Sequence, residues 1–170
     1  LPSGLKFQYD LSSSGRLTKI IDPDSHLWTL GYSGASLSYI ENHRSRRVTL
    51  SYDGAGKVSS FKDTAGRATT LAYTSGRISS ITGPELCVRS FEYTTDISGT
   101  TRLSKISDPD FNLSSITYNS GKVETVRAAD PVSSANDLVT TFTYPSGGVA
   151  KVANPKNDAT TYIFDTTSNN

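Results

Sequence analysis

The chain has 170 residues and a formal net charge of +1, so no basic excess argues for nucleic acid and no acidic excess for a solvated tail. Ser and Thr supply 47 residues and Tyr 9, a mixture that suits strands and turns and disfavours helix interiors. The single cysteine excludes an intrachain disulfide framework, and no run of 18 apolar residues exists that would span a membrane.

A chain of this length can bury a core as one domain, so residues 1–170 are expected to form a single β domain. It contains no methionine and no signal peptide, which predicts a processed chain or a piece of a longer one.

From the N-terminus onward, one short pattern returns. An apolar residue two positions before a tyrosine occurs at Phe7-Gln-Tyr9, Leu30-Gly-Tyr32, Leu50-Ser-Tyr52 and Leu71-Ala-Tyr73. It continues at Phe91-Glu-Tyr93, Ile116-Thr-Tyr118, Phe142-Thr-Tyr144 and Tyr162-Ile-Phe164. Alternation of this kind predicts strands with one apolar face. The aromatic slots lie 20 to 26 residues apart, the period of a small structural repeat with elastic loops.

The second half of each unit carries two apolar residues three apart: Leu17/Ile20, Leu37/Ile40, Val58/Phe61, Ile78/Ile81, Leu103/Ile106, Val123/Val126 and Val149/Val152. These runs are too short and too rich in serine for helices. As strands they would place the pair on opposite faces unless a bulge intervenes, so they are either bulged or covered on both faces.

Turn chemistry separates the strands. Asp53-Gly-Ala-Gly56, Thr74-Ser-Gly76, Asn119-Ser-Gly121 and Pro145-Ser-Gly-Gly148 supply the positive-φ residue of a tight hairpin. Asp22-Pro23, Gly83-Pro84, Asp108-Pro109, Asp130-Pro131 and Asn154-Pro155 end the paired runs, and Asp63-Thr-Ala-Gly66 is the same turn without proline. The sum is about seven strand-turn-strand units.

The pattern Tyr-Asp-x-x-Gly-Arg-Leu-x-x-Ile-x-Asp-Pro resembles the YD repeat of the Rhs family, which includes wall-associated proteins, cocoon components of toxin complexes and teneurins. Tyr9-Asp10 to Asp22-Pro23 and Tyr52-Asp53 to Tyr73 match best, Phe164-Asp165 is a near match, and the copy at Gly34-Ala-Ser-Leu37 lacks the Gly-basic step. The resemblance implies an all-β antiparallel ribbon that curls into a barrel- or shell-like sheet. It also implies a secreted or cell-surface setting. The family's aspartate self-cleavage segment has no counterpart after Asn154-Pro155.

Candidate chemistry is sparse. Asp22-Pro-Asp24 and Asp108-Pro-Asp110 could offer oxygen ligands to calcium, but no twelve-residue cation loop is present and solvated turns are the expectation. His26 and His43 have no Cys or Glu at ligand spacing, which argues against zinc, and no Gly-x-Ser-x-Gly nucleophile motif accompanies them. Arg44, Arg46 and Arg47 are expected on a solvated strand, Cys87 and Trp28 in the core, and the Gly-basic steps facing solvent. Asn112-Leu-Ser114 is a lone glycosylation sequon. No catalytic residue, cofactor or metal is expected.

The functional expectation is a non-enzymatic scaffold that associates with itself or with neighbouring repeats through its sheet edges. The alternative is a carbohydrate- or protein-binding module using the loops at 94–101 and 128–138.

Overall fold

The computed structural model describes residues 4–12, 15–97, 99–110, 113–130 and 132–164. Asn112 of the sequon, Pro131 and Asp165 lie outside the described residues. Fifteen strands form one antiparallel sheet in strict sequence order, from β1 (Lys6–Asp10) to β15 (Ala159–Ile163). The ribbon of repeats is therefore as expected; among the described residues β1 and β15 do not pair, so the sheet is not closed into a barrel. Besides strands, the described residues contain one 3-10 turn, Ser134–Asn136.

The chain divides into two compact units, Leu1–Tyr73 with Ile81–Cys87, and Thr74–Ser80 with Val88–Asn170. The first unit contains β1, β2 (Arg16–Ile21), β3 (Leu27–Ser33), β4 (Ser36–Glu41), β5 (Arg47–Tyr52), β6 (Val58–Lys62) and β7 (Ala68–Thr74) up to Tyr73. The second contains β9 (Val88–Thr95), β10 (Thr101–Ser107), β11 (Leu113–Asn119), β12 (Lys122–Ala128), β13 (Leu138–Ser146), β14 (Val149–Ala153) and β15. Residues of β8 (Arg77–Thr82) fall in both.

The three-residue spacing of the apolar pairs is explained by bulges. In the first unit, Leu17 faces Tyr9 and Ile20 faces Phe7, with a register shift at Gln8/Tyr9 that absorbs one extra residue. Leu37 and Ile40 face Tyr32 and Leu30 in the same way, and Val58 and Phe61 face Tyr52 and Leu50. In the second unit, Leu103 and Ile106 face Tyr93 and Phe91, and Val123 and Val126 face Tyr118 and Ile116. A bulge opposes two residues to one, so residues three apart return to the same face as a pair two apart. Of the two alternatives left by the spacing, the bulge is the one found.

Each unit therefore presents one apolar stripe, yet no described residue is buried. Within each unit the described strands pack only against their neighbours in sequence, so among the described residues the expected core is absent. The apolar residues shield one another only across the ladder. Trp28, expected inside, is 42% exposed on the apolar face opposite Ile20.

The other face of the first unit carries a smaller stack. Tyr39 pairs with Gly31, and a Cβ at Gly31 would lie 2.1 Å from the tyrosine ring, so only glycine lets the ring lie on the backbone there. The Arg47 guanidinium covers that ring at 3.9 Å and pairs with Glu41 at 2.8 Å.

Candidate functional site

The aspartates that give the repeat its polar signature are turn closures. In the turn at 53–57, the Asp53 N–H donates to the Lys57 carbonyl and the Gly56 N–H to the Asp53 carbonyl, with Gly56 at φ +77°. One Asp53 carboxylate oxygen accepts the N–H groups of Ala55 and Lys57 at 2.9 and 2.8 Å. This is the Asx-turn device, in which a short side chain replaces a backbone acceptor.

The same turn recurs at 22–26, 42–46, 63–67, 83–87, 96–100 and 154–158. Its positive-φ position is taken by Ser25, Ser45, Gly66, Leu86, Gly99 and Asn157. At Asp63 the Arg67 side chain, the backbone N–H of Arg67 and that of Ala65 hold the carboxyl below its ordinary value, against the opposing pull of desolvation. These side chains are therefore engaged by the backbone of their own turns.

The tyrosines are committed as well. The Tyr32 hydroxyl donates to the Leu17 carbonyl at 2.8 Å, Tyr52 to Leu37 at 2.7 Å and Tyr73 to Val58 at 2.7 Å. In the second unit Tyr93 donates to Ile78 at 2.8 Å and Tyr118 to Leu103 at 2.7 Å. Every one of these bonds spans 15 residues.

The basic residue just before the accepting carbonyl covers the same ring: Arg16 over Tyr32 at 5.3 Å, Lys57 over Tyr73 at 5.3 Å, Arg77 over Tyr93 at 5.9 Å and Arg102 over Tyr118 at 5.6 Å. The Gly-basic steps, expected to face solvent, thus clamp a tyrosine from above while a carbonyl holds its hydroxyl. A constant offset of 16 between the basic residue and tyrosine was present in the sequence as the signal. At Tyr52 the position before Leu37 is Ser36, so that copy keeps the hydroxyl bond without the cation.

Other expected residues settle differently. Arg44 and Arg46 lie in the 42–46 turn and only Arg47 is in a strand, because Asn42 accepts the N–H groups of both arginines and closes a turn there. Cys87 is exposed: it is the last residue of the 83–87 turn and β9 starts at Val88, so the alternation with Phe91 and Tyr93 does not reach it.

Of the two loops singled out, 94–101 is the familiar turn at 96–100 flanked by strand ends, Thr94 and Thr95 in β9 and Thr101 in β10. The 128–138 connection is ordered by Asp137, whose side chain is 4% exposed. It accepts the Asp130 N–H at 2.7 Å and pairs with Arg127. The Asp130 N–H, opposed by desolvation and helped by Arg127, holds the Asp137 carboxyl below its ordinary value.

His26 and His43 do come together. Their rings stack with centroids 4.1 Å apart and planes 25° apart, and Asp22 meets His26 Nδ1 at 2.9 Å. Among the described residues no serine or threonine hydroxyl bonds either imidazole, so the geometry of a nucleophile, base and orienting acid is not assembled there.

The apolar face of the first unit also forms an open groove of about 840 Å³, lined by Trp28, Ile40, Val48, Leu50 and Phe61 together with Arg46, Arg47 and Arg67. No helix among the described residues is long and apolar enough to cross a membrane.

The sequence matches no protein-family model and no curated protein sequence. The fold is nevertheless shared with solved structures. A crystal structure of TcdB2-TccC3-Cdc42 matches with a TM-score of 0.64 at 16% identity, over 92% of this chain and 9% of that one. A crystal structure of TcdB2-TccC3 matches with a TM-score of 0.64 at 16% identity, over 92% of this chain and 10% of that one. The Tc holotoxin pore of Photorhabdus luminescens, with a substituted TccC3, matches with a TM-score of 0.62 at 16% identity, over 91% and 9%. The chain thus spans about a tenth of the length of the proteins whose fold it shares.

Proposed function

We propose that the chain is a non-enzymatic scaffold, one array of YD repeats that builds part of a shell, stalk or other self-associating assembly outside the cell or at its surface. The observation that carries this reading is where the recurrent polar groups go. Turn carboxylates bind backbone N–H groups, tyrosine hydroxyls bind backbone carbonyls, and the basic residues of the repeat cover tyrosine rings. What remains for function is form: each unit carries an apolar stripe, and among the described residues the terminal strands β1 and β15 each pair on one side only, which leaves a ladder side for another strand.

Sharing a fold with a tenth of the TcdB2-TccC3 chain supports reading these repeats as one stretch of a larger wall, and the extracellular setting rests on the same likeness. The partners are then further YD strands, from neighbouring repeats or from another copy.

Sedimentation velocity of the 170-residue chain over a range of concentrations tests this. Association that grows with concentration and diminishes with Thr161→Pro in β15 is the expected result, because proline removes a ladder donor. A sharp monomer at every concentration would overturn it.

A carbohydrate- or protein-binding role has its specific support in the first unit's groove, where Trp28 and Phe61 are both exposed. Glycan-array binding that Trp28→Ala abolishes would favour that role over the scaffold.

A further inference from the structure

The recurrent five-residue turn brings the side chains of its first, third and fifth residues to one side, because the first accepts the N–H groups of the other two. In most copies this produces nothing beyond a closure. The fifth position is Arg46, Lys57 or Arg67 in three of the first unit's turns, and the third is Arg44, Ala55 or Ala65. At 22–26 all three positions carry metal-ligand chemistry: Asp22, Asp24 and His26, each with one ligand atom within 4.8 Å of the others.

A second, separate segment adds to the cluster. His43, at the second position of the 42–46 turn, stacks on the His26 ring at 4.1 Å. The sequence spacing did not show this, since 17 residues separate the two histidines and only the sheet register brings consecutive turns together.

We propose that the 22–26 and 42–46 turns of the first unit form a surface site for a divalent transition-metal ion of zinc's chemistry, with Asp22, Asp24 and His26 as ligands and His43 as the fourth. Zinc takes oxygen and imidazole nitrogen at about 2.0–2.2 Å, which sets its ligand atoms roughly 3.4 Å apart in a tetrahedron. The present spread of up to 4.8 Å closes by rotating Asp24 and His26, both on the surface. The contact of Asp22 with His26 Nδ1 at 2.9 Å is the one an ion would bridge.

His43 reaches the ion by turning out of its stack. Its Nε2 faces Arg44 Nε at 3.2 Å, which leaves Nδ1 as the ligating atom. Asp22 and Asp24 bring two carboxylates to the cluster and Arg44 one guanidinium beside His43, so the carboxylates outnumber the cation where the ion would enter. Two imidazoles in the set favour zinc, nickel or copper over calcium, which takes oxygen ligands. The ion would tie the β2–β3 turn to the β4–β5 turn, two connections that share no hydrogen bond of their own among the described residues.

Isothermal titration calorimetry of the chelator-stripped, full 170-residue chain with zinc chloride tests the site, with calcium chloride as a parallel titration. The expected result is one zinc per chain, no calcium binding at the same concentrations, and at least tenfold weaker zinc binding in each of Asp24→Asn, His26→Ala and His43→Ala. Asp110→Asn, in the other Asp-Pro-Asp turn, is expected to leave it unchanged. Cobalt substitution adds a spectroscopic readout, since tetrahedral ligation gives intense visible absorption that His43→Ala would diminish.

No zinc binding by a chain with a native circular dichroism spectrum overturns the proposal. So does calcium binding as tight as zinc, or zinc affinity indifferent to either histidine. Far-UV spectra of the variants separate loss of a ligand from loss of the fold.

Discussion

Tyr73 and Tyr144 occupy the same slot of the repeat and are held differently. Tyr73 has both halves of its clamp: a hydroxyl bond to Val58 and the Lys57 ammonium over its ring. Tyr144 keeps the cation, Lys122 at 4.8 Å, but among the described residues its hydroxyl has no carbonyl partner. Two local differences accompany the loss. The connection before Tyr144 runs from Ala128 to Leu138, whereas that before Tyr73 is the compact 63–67 turn. In addition, the register of β13 against β14 shifts between Thr143 and Ser146 and gives Tyr144 no opposite residue, whereas Tyr118 in the preceding copy faces Val123. The pair shows that the cation and the hydroxyl bond are separable, and that the hydroxyl bond is the more demanding of strand register.

The largest expected difference between them is in hydroxyl removal. Tyr73→Phe should lower stability by about 1 kcal/mol, because it leaves the half-buried Val58 carbonyl without its partner. Tyr144→Phe should stay within about 0.5 kcal/mol of the parent. Urea denaturation of the two variants checks this, and equal losses would mean that the Tyr73 bond contributes nothing of its own.

Removing the cation should erase the contrast. Lys57→Ala and Lys122→Ala are each expected to cost about 0.5 kcal/mol in the same experiment, since both ammonium groups sit over a ring at a partly exposed site.

The smallest effect concerns the two connections and is read as a loss of stability on acidification. Arg67 above all holds Asp63 below the ordinary aspartate value near 3.8, and the backbone N–H of Asp130 does the same for Asp137. Both folded-state values are depressed, so each contribution is fully present above about pH 3.8 and is lost as pH falls through the lower folded value. Asp63→Asn keeps the turn's acceptor, as Asn42 and Asn154 do naturally, and should flatten the acid limb of a stability-versus-pH profile by lowering the neutral-pH stability modestly toward its acid value. An unchanged acid limb would show that Asp63 is not the group that titrates.

Much of the fold was legible because strand alternation and turn residues act locally. Phe7-Gln-Tyr9 or Asp53-Gly-Ala-Gly56 carries its own instruction within four residues. The bulge at Leu17/Ile20 was visible only as a spacing with two solutions, since the choice depends on the residues opposite, Tyr9 and Phe7. Lys57 over Tyr73 and His26 against His43 escaped local reading for the same reason. Each pair lies 16 or 17 residues apart and meets only once the ladder has set which turns are neighbours. Cys87 failed in the opposite sense: a local pattern was extended one residue past the strand that produced it.

The direction of the tyrosine bonds has a consequence for how the array comes apart. Each bond joins a strand to the hairpin before it: Tyr32 in β3 reaches back to Leu17 in β2, and Tyr118 in β11 to Leu103 in β10. The free energy of any hairpin is therefore shared with its predecessor, the nearest-neighbour coupling of a linear Ising chain. Cooperativity propagates along an array only as far as those terms persist. At Tyr144 one such term is missing among the described residues, so β13 and the strands after it are expected to fray before the clamped hairpins of the second unit from β9 to β12.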